Sequence, residues 1–289
     1  MYKDILLPFD GSEGAEKALH HAAEIAHWAD ATIHVLFVAD TTRHSVTVVE
    51  NQVVDALVQQ GEDIVEEAEK TLRSLGVDYD SDVVQGNPAP TIIHYAERYD
   101  HDLIVIPTHG REGVSRYLLG SVAEKIVRLS SIPVLTVRMQ PDEQLVFPYE
   151  NVLIPTDGGV GSTHAAEYGL TLAASLGATV HVLSVVDDTS LGLDVRSTVS
   201  EQDREQAATS STEEVVAEAA TYGVENTVQH IERGAPLEVI LETIESNDID
   251  VVVMGAKERR GTDRILLGSV AEKTVRSAPV PVITVRFDE

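Results

Sequence analysis

A chain of 289 residues with a net charge of −27 and 43% apolar residues has room for two domains that each bury a core, and too much apolar content for wholesale disorder. So acidic a surface repels phosphate backbones and anionic headgroups, which argues against general nucleic-acid binding and against docking on a membrane. No apolar run reaches the roughly 18 residues of a membrane span, the start has no leader-like apolar stretch, and the absence of cysteine removes disulfides and thiolate metal sites; the expectation is a soluble cytoplasmic protein.

In chain order, Val- and Ile-rich runs predict strands near residues 3–9, 32–38, 79–84, 103–107 and 133–138. Their nearly continuous apolarity suits strands covered on both faces. Between them, Gly14–Trp28, Asn51–Leu75, Pro90–Tyr99 and Ser121–Leu129 carry helical periodicity. Five strands alternating with four helices predict an α/β fold, a doubly wound parallel sheet of the Rossmann-like type. In such sheets ligands sit beyond the carboxyl ends of the strands, where the strand order reverses.

The pattern then repeats. Asp4-Ile5-Leu6-Leu7-Pro8-Phe9-Asp10-Gly11 matches Asn151-Val152-Leu153-Ile154-Pro155-Thr156-Asp157-Gly158, and Pro133-Val134-Leu135-Thr136-Val137-Arg138 matches Pro281-Val282-Ile283-Thr284-Val285-Arg286. The offset of about 147 residues is one domain long and too long for a solenoid repeat. The reading is therefore a duplicated domain: residues 1–140, a Pro-bearing linker over 141–148, and residues 149–289.

The octet LLGSVAEK stands at Leu118–Lys125 and again at Leu266–Lys273, after the fourth strand of each half and at the start of its fourth helix. Ser121 with Glu124, and Ser269 with Glu272, fit the S-x-x-E capping box, so the repeat has a purely structural reading. Capping does not explain Gly120 and Gly268 before each serine, nor the Gly110-Arg111-Glu112-Gly113 approach. A glycine before a helix start leaves backbone N–H groups open to an anion, and the helix dipole favours one there, so phosphate binding is the reading preferred.

With these residues in place the sequence resembles the universal stress proteins in tandem-domain form, over essentially all of both halves. Nucleotide-binding members of that family carry G-x2-G-x9-G-[ST] after the fourth strand. Here the first copy reads Pro107-x2-Gly110-x9-Gly120-Ser121 and the second Gly255-x2-Glu258-x9-Gly268-Ser269, each lacking a different glycine. The resemblance implies a site for ATP or a related adenine nucleotide, with or without Mg. In the first half it would use Pro8, Phe9 and Asp10 beneath the adenine, the backbone of Val38, and Gly110, Gly120, Ser121 and Val122 along the ribose and phosphates. Pro107 occupies the first motif position, and His109 lies in the phosphate-side loop. In the second half the matching positions are Pro155, Thr156, Asp157, Val185, Gly255, Gly268, Ser269 and Val270. Asp10 and Asp157 also suit a turn beside the following glycine. Glu258 adds bulk and negative charge against a polyphosphate, partly offset by Lys257, Arg259 and Arg260, so the first site is expected to bind better.

No Walker loop, HExxH motif or Ser-His-Asp order stands out. His20, Glu24 and His27 share one helical face, an arrangement more often solvated than metal-binding. The expectation is a binding protein, at most a slow ATPase. The alternative is a scaffold of the same fold that binds a protein partner and no nucleotide. The family's last strands pair between subunits, which suggests an intrachain pseudo-dimer of the two halves and leaves a homodimer of the whole chain open. The segments 40–60 and 187–205 diverge between halves and suit partner recognition or lids. The acidic composition, with Arg prominent among the basic residues, resembles proteins adapted to a high-salt cytoplasm.

Overall fold

The computed structural model describes residues 1–40, 50–109, 119–138, 143–187, 200–256 and 267–286. It divides into two units, Met1–Pro141 and Asp142–Glu289. The first unit runs β1 (Asp4–Pro8), α1 (Glu13–Ala29), β2 (Thr32–Asp40), α2 (Glu50–Leu75), β3 (Tyr79–Gly86), α3 (Pro88–Arg98), β4 (Leu103–Pro107), α4 (Ser121–Leu129) and β5 (Val134–Val137). The second repeats it as β6 (Asn151–Pro155), α5 (Val160–Leu176), β7 (Thr179–Val186), α6 (Glu201–Tyr222), β8 (Thr227–Arg233), α7 (Pro236–Ser246), β9 (Val251–Gly255), α8 (Ser269–Ser277) and β10 (Val282–Val285).

Within the first unit the strand order is β3-β2-β1-β4-β5, and within the second β8-β7-β6-β9-β10. All of these pairings are parallel. The predicted α/β fold of two tandem doubly wound domains is the observed one. Helices on both faces bury the central strands completely: Ile5, Leu6 and Leu7 of β1, Leu103, Ile104 and Val105 of β4, and Val152, Leu153 and Ile154 of β6 have no exposed surface. Each such side chain contributes about 1.5–3 kcal/mol on burial, which explains why these runs show no polar alternation. The terminal strands β3 and β8 bury none of their residues fully, and their sequences alternate or turn polar accordingly.

Local chemistry sets the helix ends. Ser12 caps α1 by accepting the Ala15 N–H at 3.2 Å, and Asp30 closes it in the left-handed conformation. Proline opens both α3 and α7, where its missing N–H has no intrahelical role. Small residues, Ala15, Ala18, Ala22, Ala23 and Ala26, fill the buried face of α1 and let it lie close on the sheet.

One device is duplicated intact. Asp102, just before β4, accepts the N–H groups of Lys3 at 2.7 Å and Asp4 at 3.1 Å, pinning the start of β1. Asp250, just before β9, does the same for Glu150 at 2.7 Å and Asn151 at 2.8 Å. Hydrogen bonds to a carboxylate are stronger than neutral ones, so Asp102→Ala is expected to destabilise the first unit by about 2 kcal/mol. Urea denaturation checks this, and an unchanged midpoint contradicts it.

In both units the connection after β1 or β6 runs to one side and that after β4 or β9 to the other. The strand order reverses at the resulting crevice, and Pro8, Val38, Pro107, Pro155, Val185 and Gly255 stand at or near the carboxyl ends of strands on either side of that point.

Candidate nucleotide site

The floor of the first crevice is built from strand ends of unequal length. Phe9 donates its N–H to Leu36 O at 2.9 Å, while β2 continues to Asp40. Alternate residues of a strand point their backbone groups to the same side. Thr32 donates toward β1 and Ile33 toward β3, so even-numbered residues of β2 face β1. Val38 therefore turns both its N–H and its C=O into the space past the end of β1. The second unit reproduces this: Thr156 donates to Leu183 O at 2.8 Å, Val180 donates toward β8, and Val185 turns its backbone past the end of β6. A donor and an acceptor side by side suit the edge of a planar base.

Asp10 and Asp157 both organise the turn that follows. Asp10 accepts the Ser12 N–H at 3.0 Å, and Asp157 accepts the Gly159 N–H at 2.9 Å and the Ser162 hydroxyl at 2.7 Å. Thr156 accepts the Gly158 N–H at 3.2 Å through its own hydroxyl. The turn role foreseen for the two aspartates is present in each unit, with a denser hydroxyl network in the second. Phe9 is 4% exposed, so its ring belongs to the core, and what it lends the crevice is backbone beside the half-buried Pro8. Pro155 is likewise half-buried.

The wall comes from β4 and α4. Thr108 donates to Val137 O at 2.8 Å, so alternation turns the Pro107 nitrogen away from β5 and the proline leaves that ladder intact. Thr108 O then accepts the Gly120 N–H at 2.7 Å. A Cβ at Gly120 would lie 3.0 Å from Thr108 O. This close backbone approach is the local reason for glycine there. The first intrahelical bond of α4 is Glu124 N–H to Gly120 O at 2.8 Å, which leaves the amides of Ser121, Val122 and Ala123 without an intrahelical acceptor. In the second unit Gly268 donates to Ala256 O at 2.9 Å and Glu272 to Gly268 O at 2.9 Å, with Ser269, Val270 and Ala271 in the corresponding places.

The capping-box expectation is overturned here. Gly120 and Gly268 are the N-caps, neither helix has a side-chain cap, and Ser121 and Ser269 are the first helical residues, both exposed. Glu272 pairs with Arg276 one turn on. A capping box does form at Ser200 and Asp203 at the start of α6. The helix start repeated in the octet therefore has its first-turn amides uncapped by side chains, as an anion site requires.

Other predicted residues have more local duties. A Cβ at Gly255 would meet Gly161 O at 2.7 Å, so this glycine lets β9 pack against the first turn of α5. His109 is half-buried with Nδ1 3.0 Å from the Thr108 hydroxyl. Thr108, absent from the predicted set, is thus the residue that joins β5, Gly120 and His109, and its own sequence context carried no signal of this. Gly110, Glu258, Lys257, Arg259 and Arg260 lie outside the described residues, as do residues 41–49 and 188–199 of the divergent segments. His20, Glu24 and His27 are exposed on α1. Among the described residues no three His, Asp or Glu side chains gather as a metal site, and no helix is long and apolar enough to cross a membrane.

The sequence model of the universal stress protein family matches residues 1–138 and again 148–286. Over 146 residues the chain is 33% identical to a universal stress protein of Methanocaldococcus jannaschii, a match covering 50% of this chain and 86% of that one. Over 143 residues it is 34% identical to a universal stress protein of Methanothermobacter thermautotrophicus, covering 48% and 97%. The crystal structure of a universal stress protein from Archaeoglobus fulgidus matches with a TM-score of 0.75 at 25% identity, covering 98% of each chain. The chain belongs to the universal stress protein family and carries the family domain twice.

Proposed function

We propose that the chain is a stress-response protein that binds ATP or a related adenine nucleotide in its first crevice, and more weakly in its second, with little or no hydrolysis. The observation that carries this is the start of α4: a glycine N-cap, no side-chain cap, and the amides of Ser121, Val122 and Ala123 ahead of the first intrahelical bond. Three N–H groups at the positive end of a helix suit a phosphate. The backbone pair of Val38, at the neighbouring strand end, suits an adenine edge. The chemistry proposed is recognition, because Asp10 is bonded in its turn and His109 to Thr108. Mg would be carried in on the phosphates.

The weaker second site is inferred from Glu258, which stands where the family motif has a phosphate-side glycine, beside Lys257, Arg259 and Arg260. A carboxylate there opposes a polyphosphate. The acidic surface fits the same picture of a chain working in a salt-rich cytoplasm, where counterions screen its self-repulsion.

Denaturing gently purified protein and identifying the released small molecules by mass spectrometry tests the reading. Adenine nucleotide at up to two equivalents is the expected result, and a value near one favours unequal sites. Protein that is empty and also takes up no added ATP, ADP or AMP removes the nucleotide reading in favour of a protein-binding scaffold.

A further inference from the structure

The same strand position is histidine in both units, His34 on β2 and His181 on β7, yet the two copies have acquired different partners. His34 Nε2 lies 3.0 Å from the Asp4 carboxylate, and its ring meets His101 edge-on with centroids 4.6 Å apart. In the second unit Asn151 stands in place of Asp4 and Ile249 in place of His101. His181 turns instead to β8, where its Nδ1 lies 3.0 Å from His230 Nε2. The ring planes are 10° apart and the centroids 5.3 Å apart. Nitrogens so much closer than the centroids, in nearly parallel rings, mean that the imidazoles meet end to end through a single N–H···N bond.

Such a bond holds one hydrogen between two nitrogens. One imidazole of the pair can take a further proton on its outer nitrogen and keep the bond. A second charge sets N–H against N–H and places two cations side by side, in a site where His181 is 6% exposed. The pair lies on the sheet face opposite α6, since Ser211 and Thr212 of α6 bond Ser184 of β7 and Gln229 of β8. The groups around it offer little compensation. Leu153 of β6 is the register partner of His181, and α7 buries Val239, Ile240, Thr243 and Ile244 while its Glu238, Glu242 and Glu245 are exposed. On β8 the same face carries Val228 and Glu232 beside His230, and Glu232 is the carboxylate that favours charge there.

We propose that His181 and His230 form an acid-released clasp that holds β8, the outer strand of its unit, on β7, so that mild acidification loosens the second unit before the first. Burial, and for His181 also the neighbouring imidazole, hold both groups below the ordinary imidazole value of 6.5. The native pair then binds fewer protons than the unfolded chain. Its stabilisation is complete above about pH 6.5 and is lost as pH falls below that through the lowered native values. In the first unit His101 is also held low, by burial and by His34, but Asp4 and Asp102 both favour its charged form, and His34 has Asp4 as a direct partner. Two carboxylates there face one in the second unit. Because β7 also carries Val185, the second crevice rests on the clasped strand; this consequence alone depends on the nucleotide reading.

Amide hydrogen exchange of the full chain in molar KCl, at about pH 7.5 and about pH 5.5 and corrected for intrinsic rates, reads the clasp directly. Protection of Thr227–Arg233 is expected to fall about tenfold at the lower pH, while that of Tyr79–Gly86 changes much less. His230→Gln, which keeps a hydrogen-bonding group but does not titrate, is expected to abolish the drop. A pH-independent β8, an equal loss in β3, or an undiminished drop in His230→Gln overturns the proposal. Should that variant not fold, the imidazole Cε1–H resonances of the unaltered protein decide: both histidines shifting below 6.5 with mutually dependent curves supports the clasp, and two independent ordinary titrations overturn it. Neither readout involves nucleotide, so a failure here is separate from a failure of the nucleotide reading.

Discussion

Replacing Gly120 with valine is expected to weaken adenine-nucleotide binding about 30-fold or more, while Gly268→Val leaves total affinity within about threefold. The position of Gly120 is dictated by contact with the preceding strand: its N–H reaches Thr108 O at 2.7 Å, and an added Cβ would lie 3.0 Å from that oxygen. A β-branched side chain there must push the start of α4 outward. The amides of Ser121 and Val122 then lose their aim, and each hydrogen bond to a charged phosphate is worth about 1.5–3 kcal/mol. The expected asymmetry between the halves rests on the proposal that Glu258, which stands where the family motif has a phosphate-side glycine, opposes a phosphate more than Lys257, Arg259 and Arg260 attract one. Calorimetric titration with ATP measures both variants, with thermal unfolding to show that each remains folded. The opposite ranking, with Gly268→Val abolishing binding and Gly120→Val neutral, would reverse the assignment of the stronger site.

Raising KCl from about 0.1 M to about 2 M is expected to raise the thermal midpoint by about 10 °C. A net charge of −27 acts against compaction through repulsion among carboxylates such as Glu66, Glu67 and Glu69 along α2. At about 0.1 M salt these interactions reach about 10 Å, and at molar salt only about 3 Å. The ion pairs of Lys70 with Glu66 and of Arg233 with Glu201 and Glu205 do not remove this excess of carboxylates. These pairs are exposed and contribute little each. Calorimetric scans in KCl and in an osmotically matched sucrose series separate screening from exclusion effects. A midpoint insensitive to KCl would remove the case for adaptation to salt.

The duplication and the strand sequence were legible in the chain because burial on both faces demands continuous apolarity. Leu103–Pro107 and Val251–Gly255 have no alternative as surface segments. Gly120-Ser121 and Gly268-Ser269 were legible as helix starts, but their capping was misjudged by one residue. S-x-x-E is a local pattern, whereas the helix start is set by a bond from Gly120 to Thr108, twelve positions earlier in the chain. The turn duty of Asp10 and Asp157 was legible from the glycine that follows each, whereas the inward packing of the Phe9 ring, which leaves its backbone at the crevice, was not.

Local sequence is enough to establish that there are two domains, that each is an α/β sheet wrapped by helices, and that the repeated glycine-serine steps open helices after the fourth strand of each half. Periodicity, composition and repetition are properties of neighbouring residues, and they carry that much. Tertiary structure alone decided that Val38 and Val185 turn their backbones past shortened strands, that Gly255 serves helix packing, and that the duplicated histidine meets Asp4 in one unit and His230 in the other. Those outcomes depend on register between strands and on approach between segments as far apart in sequence as Gly161 and Gly255, which no local pattern encodes.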